Sequence, residues 1–163
     1  MSVLANNRKE SRYEPIMLSV KIHEMLTELA QRNYGIKDLN HFVRMRYAYG
    51  KDKTENFELY RYLLQNSKSS IDMTSRLLTK NLLAAQSIYP TSMAELEQRR
   101  AFLNNAIGNC NQLIFDIQEA VTRFDVDINK FDSYQHVIDR EIDLIKKWRQ
   151  RDNKIKSHLQ GNV

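Results

Sequence analysis

The chain has 163 residues, 42% of them hydrophobic, and its 25 cations exceed its 20 anions to give a net charge of +5. That length and apolar content suit one domain with its own core. Four glycines and two prolines offer little turn material, so a sheet-rich fold is excluded and long helices are expected; the single Cys110 rules out an intramolecular disulfide, and no apolar run approaches the ~20 residues of a membrane-spanning helix. Arg8 and Lys9 follow Val3, Leu4 and Ala5 rather than precede them, which is not the order of a secretory signal, and a cytoplasmic location is expected.

In chain order, residues 1–13 read as a flexible basic arm, with the short apolar string Val3-Leu4-Ala5 before Arg8, Lys9 and Arg12. Such a segment is either a docking arm or a free terminus. Pro15 at a first helical position opens a helix with Leu18, Ile22, Met25, Leu26 and Leu29 on one face, and Gly35 is its expected stop. A short helix from Asp38 to about Tyr49 carries too few apolar residues for a core of its own. Asp52 and Glu55 then have capping-box spacing for a helix reaching about Ile88, with an inward row of Phe57, Tyr60, Leu64, Ser67, Ile71, Thr74, Leu78, Leu82 and Ala85. Tyr89-Pro90 ends it. Ser92 and Glu95 form a second capping box, ahead of Leu96, Leu103, Ile107, Cys110, Ile114, Ile117, Val121 and Phe124, a row interrupted by Arg100. After the acidic turn Asp125-Val126-Asp127, a last helix presents Phe131, Tyr134, Ile138, Ile142, Ile145 and Trp148, and continues through Ile155 and Leu159. The expected fold is all-α: an antiparallel up-and-down four-helix bundle spanning 14–160 as a single domain, with the short extra helix near 38–49, the extended N-terminal arm, and a tail at 161–163. Leu63, Met73, Leu77, Met93 and Leu113 lie off the inward rows, and either widen the core or serve oligomerisation.

The motifs of catalysis are missing from the pattern. No Glu is followed three residues on by His, His23-Glu24 lacks the second His of a zinc helix, and there is no glycine-rich phosphate loop. His23, His41, His136 and His158 are scattered, and Cys110 falls within an apolar row, where it reads as a small hydrophobe. No enzyme activity, cofactor or metal is expected. The chain reads as a binding protein.

Charge says what it binds. Residues 1–53 carry a net +4, residues 54–145 a net −4, and residues 146–163 a net +5 from six cations and Asp152. Basic ends around an acidic middle imply a surface for a polyanion, with RNA, DNA or an acidic protein all admissible; cations also gather at helix C-termini simply to complement the dipole. The candidate nucleic-acid contacts of the final helix are Lys146, Lys147, Arg149, Arg151, Lys154 and Lys156. A second set is Arg44, Arg46, Tyr47, Tyr49, Lys51 and Lys53, where aromatics alternate with cations, so that rings can stack on bases while cations meet phosphates. The plainer account of that set is one packed tyrosine and solvated charges. Trp148 belongs to the apolar row and is expected in the core or a subunit contact.

The opening Ser2-Val3-Leu4-Ala5-Asn6-Asn7-Arg8, the turn Ala85-Gln86-Ser87-Ile88-Tyr89-Pro90 between long helices, and the basic last helix resemble the accessory variability determinant (Avd) family of diversity-generating retroelements. The resemblance implies a four-helix bundle that forms a positively charged homopentamer and binds a reverse transcriptase and its template RNA. In that role the protein supports mutagenic cDNA synthesis without itself being catalytic. The chain departs from the better-known members in its greater length, its N-terminal arm and its short helix. A helical interaction scaffold that binds no nucleic acid is the alternative, and salt-insensitive partner binding would mark it.

Overall fold

The computed structural model describes residues 13–36, 53–124, 126, 127, 129 and 131–161, and the side chains of all of these except 53–57. The arm before Tyr13, the short helix at 38–49, the Asp52 cap and the stretch from Arg44 to Lys51 therefore lie outside the described residues. The protein is all-helical there. Its elements are α1 (Tyr13–Gln31), a 3-10 turn (Asn33–Gly35), α2 (Lys53–Ser87), α3 (Met93–Phe124) and α4 (Asp132–Gly161).

The four helices close into a bundle in which α1 packs on α2 and α4, and α3 packs on α2 and α4. Ser70 of α2 meets Asp116 of α3 and Asn81 meets Asn109, so rising numbers on one helix pair with falling numbers on the other. The core contains Ile22, Leu26, Ile71, Leu78, Leu82, Leu103, Cys110, Ile138, Ile145 and Trp148, all nearly or fully removed from water. Burying side chains of this size stabilises by roughly 1.5–3 kcal/mol each before entropy is counted.

Helix boundaries follow local chemistry. At the start of α3, Glu95 donates its N–H to Ser92 Oγ (3.3 Å) while its carboxylate accepts from the N–H of Thr91 (2.7 Å) and of Ser92 (3.3 Å), so the capping box read from sequence is present. Those hydrogen bonds hold the Glu95 carboxyl below its ordinary pKa. The end of α1 is more elaborate than one glycine. Asn33 (φ 51°), Tyr34 (φ 55°) and Gly35 (φ 82°) all take left-handed backbone, which reverses the chain and drives Tyr34 into the core. There its ring stacks on Phe124 (centroids 5.7 Å apart) and its hydroxyl lies 2.9 Å from Ser67 Oγ, contacts that offset the unfavourable φ of a bulky residue.

Two expected faces are corrected. The buried line of α3 is Leu96, Arg99, Leu103, Ala106, Cys110, Leu113, Ile117, Ala120 and Phe124, so of the two roles open to Leu113 it takes the core one, and Ile107, Ile114 and Val121 flank the line. The alternating steps of three and four residues are those of a coiled-coil seam. In α4 the same steps run through Phe131, Tyr134, Ile138, Glu141, Ile145, Trp148 and Asp152, Ile142 is buried beside them as expected, and Ile155 and Leu159 are only half-buried. Charged residues thus occupy seam positions: Arg99, Glu141 and Asp152. Of the other off-row residues, Leu63 packs against the core, Met93 is half-buried, and Met73 (62%) and Leu77 (38%) are exposed.

Candidate nucleic-acid interface

The C-terminal half of α4 carries the first set of candidate cations. Lys146, Lys147 and Lys154 are exposed; Arg149, Arg151 and Lys156 are half-buried. Arg151 Nε is buried, so this side chain belongs in part to the packing of the bundle. Lys53 opens α2, and its side chain, with Arg44, Arg46, Tyr47, Tyr49 and Lys51, is outside the described set. The structure therefore does not bring the two predicted stretches together or hold them apart.

The one carboxylate of this segment does not face solvent. Asp152 is 1% exposed and receives both Nε (3.1 Å) and Nη2 of Arg99, itself 2% exposed, in a fork-to-fork ion pair; Arg99 Nη1 also donates to the Ile88 carbonyl (3.3 Å). Asp152 neutralises an internal cation, not the surface ones. From Lys146 to Gly161 the outside of α4 accordingly presents cations with no acidic side chain among them. Sequence reading counted Asp152 against the surface charge and missed Arg99 altogether. The signal was the seven-residue gap between Trp148 and Ile155 in the apolar row, which Asp152 fills at seam spacing.

Two arginines beside this pair are braced by amides. Arg149 Nη1 donates to Asn104 Oδ1 of α3 (2.7 Å), and Arg100 Nη2 donates to Asn153 Oδ1 of α4 (3.3 Å). Arg100, expected only to interrupt a row, therefore lies on the basic face. Neutral acceptors orient a guanidinium without cancelling its charge.

Elsewhere the polar groups serve packing. His23 Nδ1 lies 2.8 Å from Ser75 Oγ and its Nε2 is 3.9 Å from Asp72. This resembles a nucleophile and base only in composition: Ser75 is fully buried and its hydroxyl is held on its own helix, within hydrogen-bond distance of the Ile71 (2.8 Å) and Asp72 (3.0 Å) carbonyls. Thr79 to Ser19 (3.0 Å) continues the same seam between α1 and α2. Burial pushes the Cys110 thiol well above its usual pKa, with Glu141 and Asp139 adding to the effect, which leaves it a poor nucleophile. Among the described residues, no three His, Cys, Asp or Glu side chains converge as a metal site, and no helix is long and apolar enough to cross a membrane.

Comparison with known proteins supplies no relative: no family model matches the chain, nor does any curated protein or solved structure.

Proposed function

We propose that this chain is a non-catalytic nucleic-acid-binding accessory protein, an antiparallel up-and-down bundle of the cytoplasm that presents the cationic end of α4 to RNA or DNA. The observation that carries this reading is the removal of Asp152 from the surface. With Asp152 turned inward onto Arg99, the cations from Arg149 onward along the C-terminal part of α4 have no acid of their own segment beside them in solvent, and each phosphate they meet releases counterions. Partnership with a reverse transcriptase and its template RNA in mutagenic retrohoming follows from the resemblance to the Avd family. A homo-oligomer, a pentamer in that family, would repeat the basic face and turn weak contacts into avid binding. Exposed Met73, Leu77 and Phe115 (58%) on α2 and α3 offer apolar surface for subunit contacts.

The test is binding to structured RNA, single-stranded RNA and duplex DNA across a salt series, with mass in solution recorded in parallel. The triple substitution Lys146→Glu, Lys147→Glu and Lys154→Glu uses exposed side chains only and leaves Arg151 in place. It is expected to abolish low-salt binding while helical content is retained. The same exposed apolar residues favour the second reading, a helical scaffold, and wild-type protein that binds a protein partner but no nucleic acid at low salt would select it.

A further inference from the structure

The internal ion pair joins three separate pieces of the chain. Asp152 belongs to α4, Arg99 to α3, and the Ile88 carbonyl to the turn between α2 and α3. Each has a sequence neighbour at or near the surface: exposed Asn153, half-buried Arg100 and Tyr89, a residue 78% exposed. Arg100 is bound to Asn153, and one turn along the relation is mirrored, with Arg149 bound to Asn104. The two hydrogen-bonded pairs lie four residues apart along antiparallel partners, a backbone rise of about 6 Å at 1.5 Å per residue.

This pattern is unusual for mere packing. A carboxylate at 104 or 153 would have made an ion pair; the chain places a neutral amide at both. Each rung engages one of a guanidinium's five N–H donors and leaves the others for a ligand. Among the described residues no carboxylate is within ion-pair distance of either arginine. Tyr89 adds a flat apolar ring in water on a turn whose backbone is pinned at Ile88. Cations at intervals with an aromatic platform suit a ligand that offers both phosphates and unstacked bases, as a single strand does. A duplex keeps its bases stacked inside, and an acidic peptide need bring no ring.

We infer that Arg100 and Arg149 form a two-pronged phosphate clamp for single-stranded nucleic acid, with Tyr89 the platform on which an unpaired base stacks. The inference rests on the nucleic-acid reading above and deepens it. The internal Arg99–Asp152 pair is the frame that sets the clamp and the platform relative to one another.

The experiment is fluorescence anisotropy with labelled oligouridine and with a labelled RNA duplex of equal length, over a series of KCl concentrations. Wild-type protein is compared with Arg100→Gln/Arg149→Gln, with Arg100→Lys/Arg149→Lys, and with Tyr89→Leu, all checked for unchanged melting temperature. The glutamine pair is expected to bind oligouridine at least about tenfold more weakly, and to flatten the log K against log salt slope by about 1.4, from 0.7 per lost phosphate contact on a single strand. The lysine pair keeps the slope. Tyr89→Leu is expected to weaken oligouridine binding at least about fivefold, the low end for one stacked base, and to leave duplex binding unchanged. An unchanged slope in the glutamine pair, or equal weakening of both ligands by Tyr89→Leu, overturns the clamp while wild-type binding preserves the broader reading. Wild-type protein that binds neither ligand at low salt overturns both.

Discussion

Glu141 shows how one residue can set the pH dependence of the fold. Its side chain is 0% exposed, and neither carboxyl oxygen has a hydrogen-bond partner among the described residues. Burial, reinforced by Glu14 and opposed by Arg140, pushes its pKa from 4.5 up to about 9. It is therefore neutral in the folded protein at pH 7 and ionised in the unfolded chain. The folded state holds the extra proton between these two values, so stability is fully present below pH 4.5 and falls as pH rises toward 9. The loss at pH 7 is on the order of 3 kcal/mol at 1.36 kcal/mol per pKa unit. Glu141→Met should be more stable than wild type, with a gain in melting temperature that is larger at pH 8 than at pH 5. A gain equal at both pH values would show that the carboxyl ionises freely inside the bundle.

Between α3 and α4, register rests on the seam pair Arg99–Asp152. Replacing Arg99 by Met strands a buried carboxylate and is expected to destabilise by about 3–5 kcal/mol, whereas Arg99→Met with Asp152→Leu should recover most of that loss in thermal melts. A double variant no more stable than the single one would show that the cost lies in the methionine and not in the unpaired charge. At the start of α3, Ser92→Ala should raise amide exchange over Met93–Leu96 without altering exchange near Cys110, because the cap serves only the first turn. The capping box, the apolar row of α2 from Tyr60 onward and that of α4 as far as Trp148 were legible in the sequence, since they depend on local spacing. The face of α3 was legible in part, through Leu96, Leu103, Cys110, Ile117 and Phe124. Ala106 and Ala120 contribute little to an apolar row and Arg99 counts against it, so periodicity pointed to Ile107, Ile114 and Val121, which lie to one side. The left-handed run at Asn33 and Tyr34 was also hidden, because it is stabilised by Phe124 and Ser67, far away in the chain.

For the whole molecule, charge is arranged by end. The basic terminal segment was visible as a count, but its meaning changed once Asp152 was found inside. A cation tally treats every acid as a neighbour in solvent, and only packing reveals which are internal. In the proposed nucleic-acid role, binding should be steeply salt-dependent, and adding an acid outside the bundle, as in Asn153→Asp beside Arg100, should weaken it more than a neutral change such as Asn153→Ala. Equal affinity of the two variants in the anisotropy titration would detach this face from the ligand.

The same internal pair also bears on the order in which the emerging chain can fold. Arg99 and Asp152 are separated by 53 residues, so on the ribosome the guanidinium is made well before the carboxylate that neutralises it. Until α4 emerges, α2 and α3 cannot close around Arg99 without burying a bare cation, and that end of the nascent bundle stays open. Completion of α4 is thus the event that seals it, and a nascent chain halted before Asp152 should remain protease-sensitive at the start of α3 even when the opposite end, around Tyr34 and Phe124, has already packed.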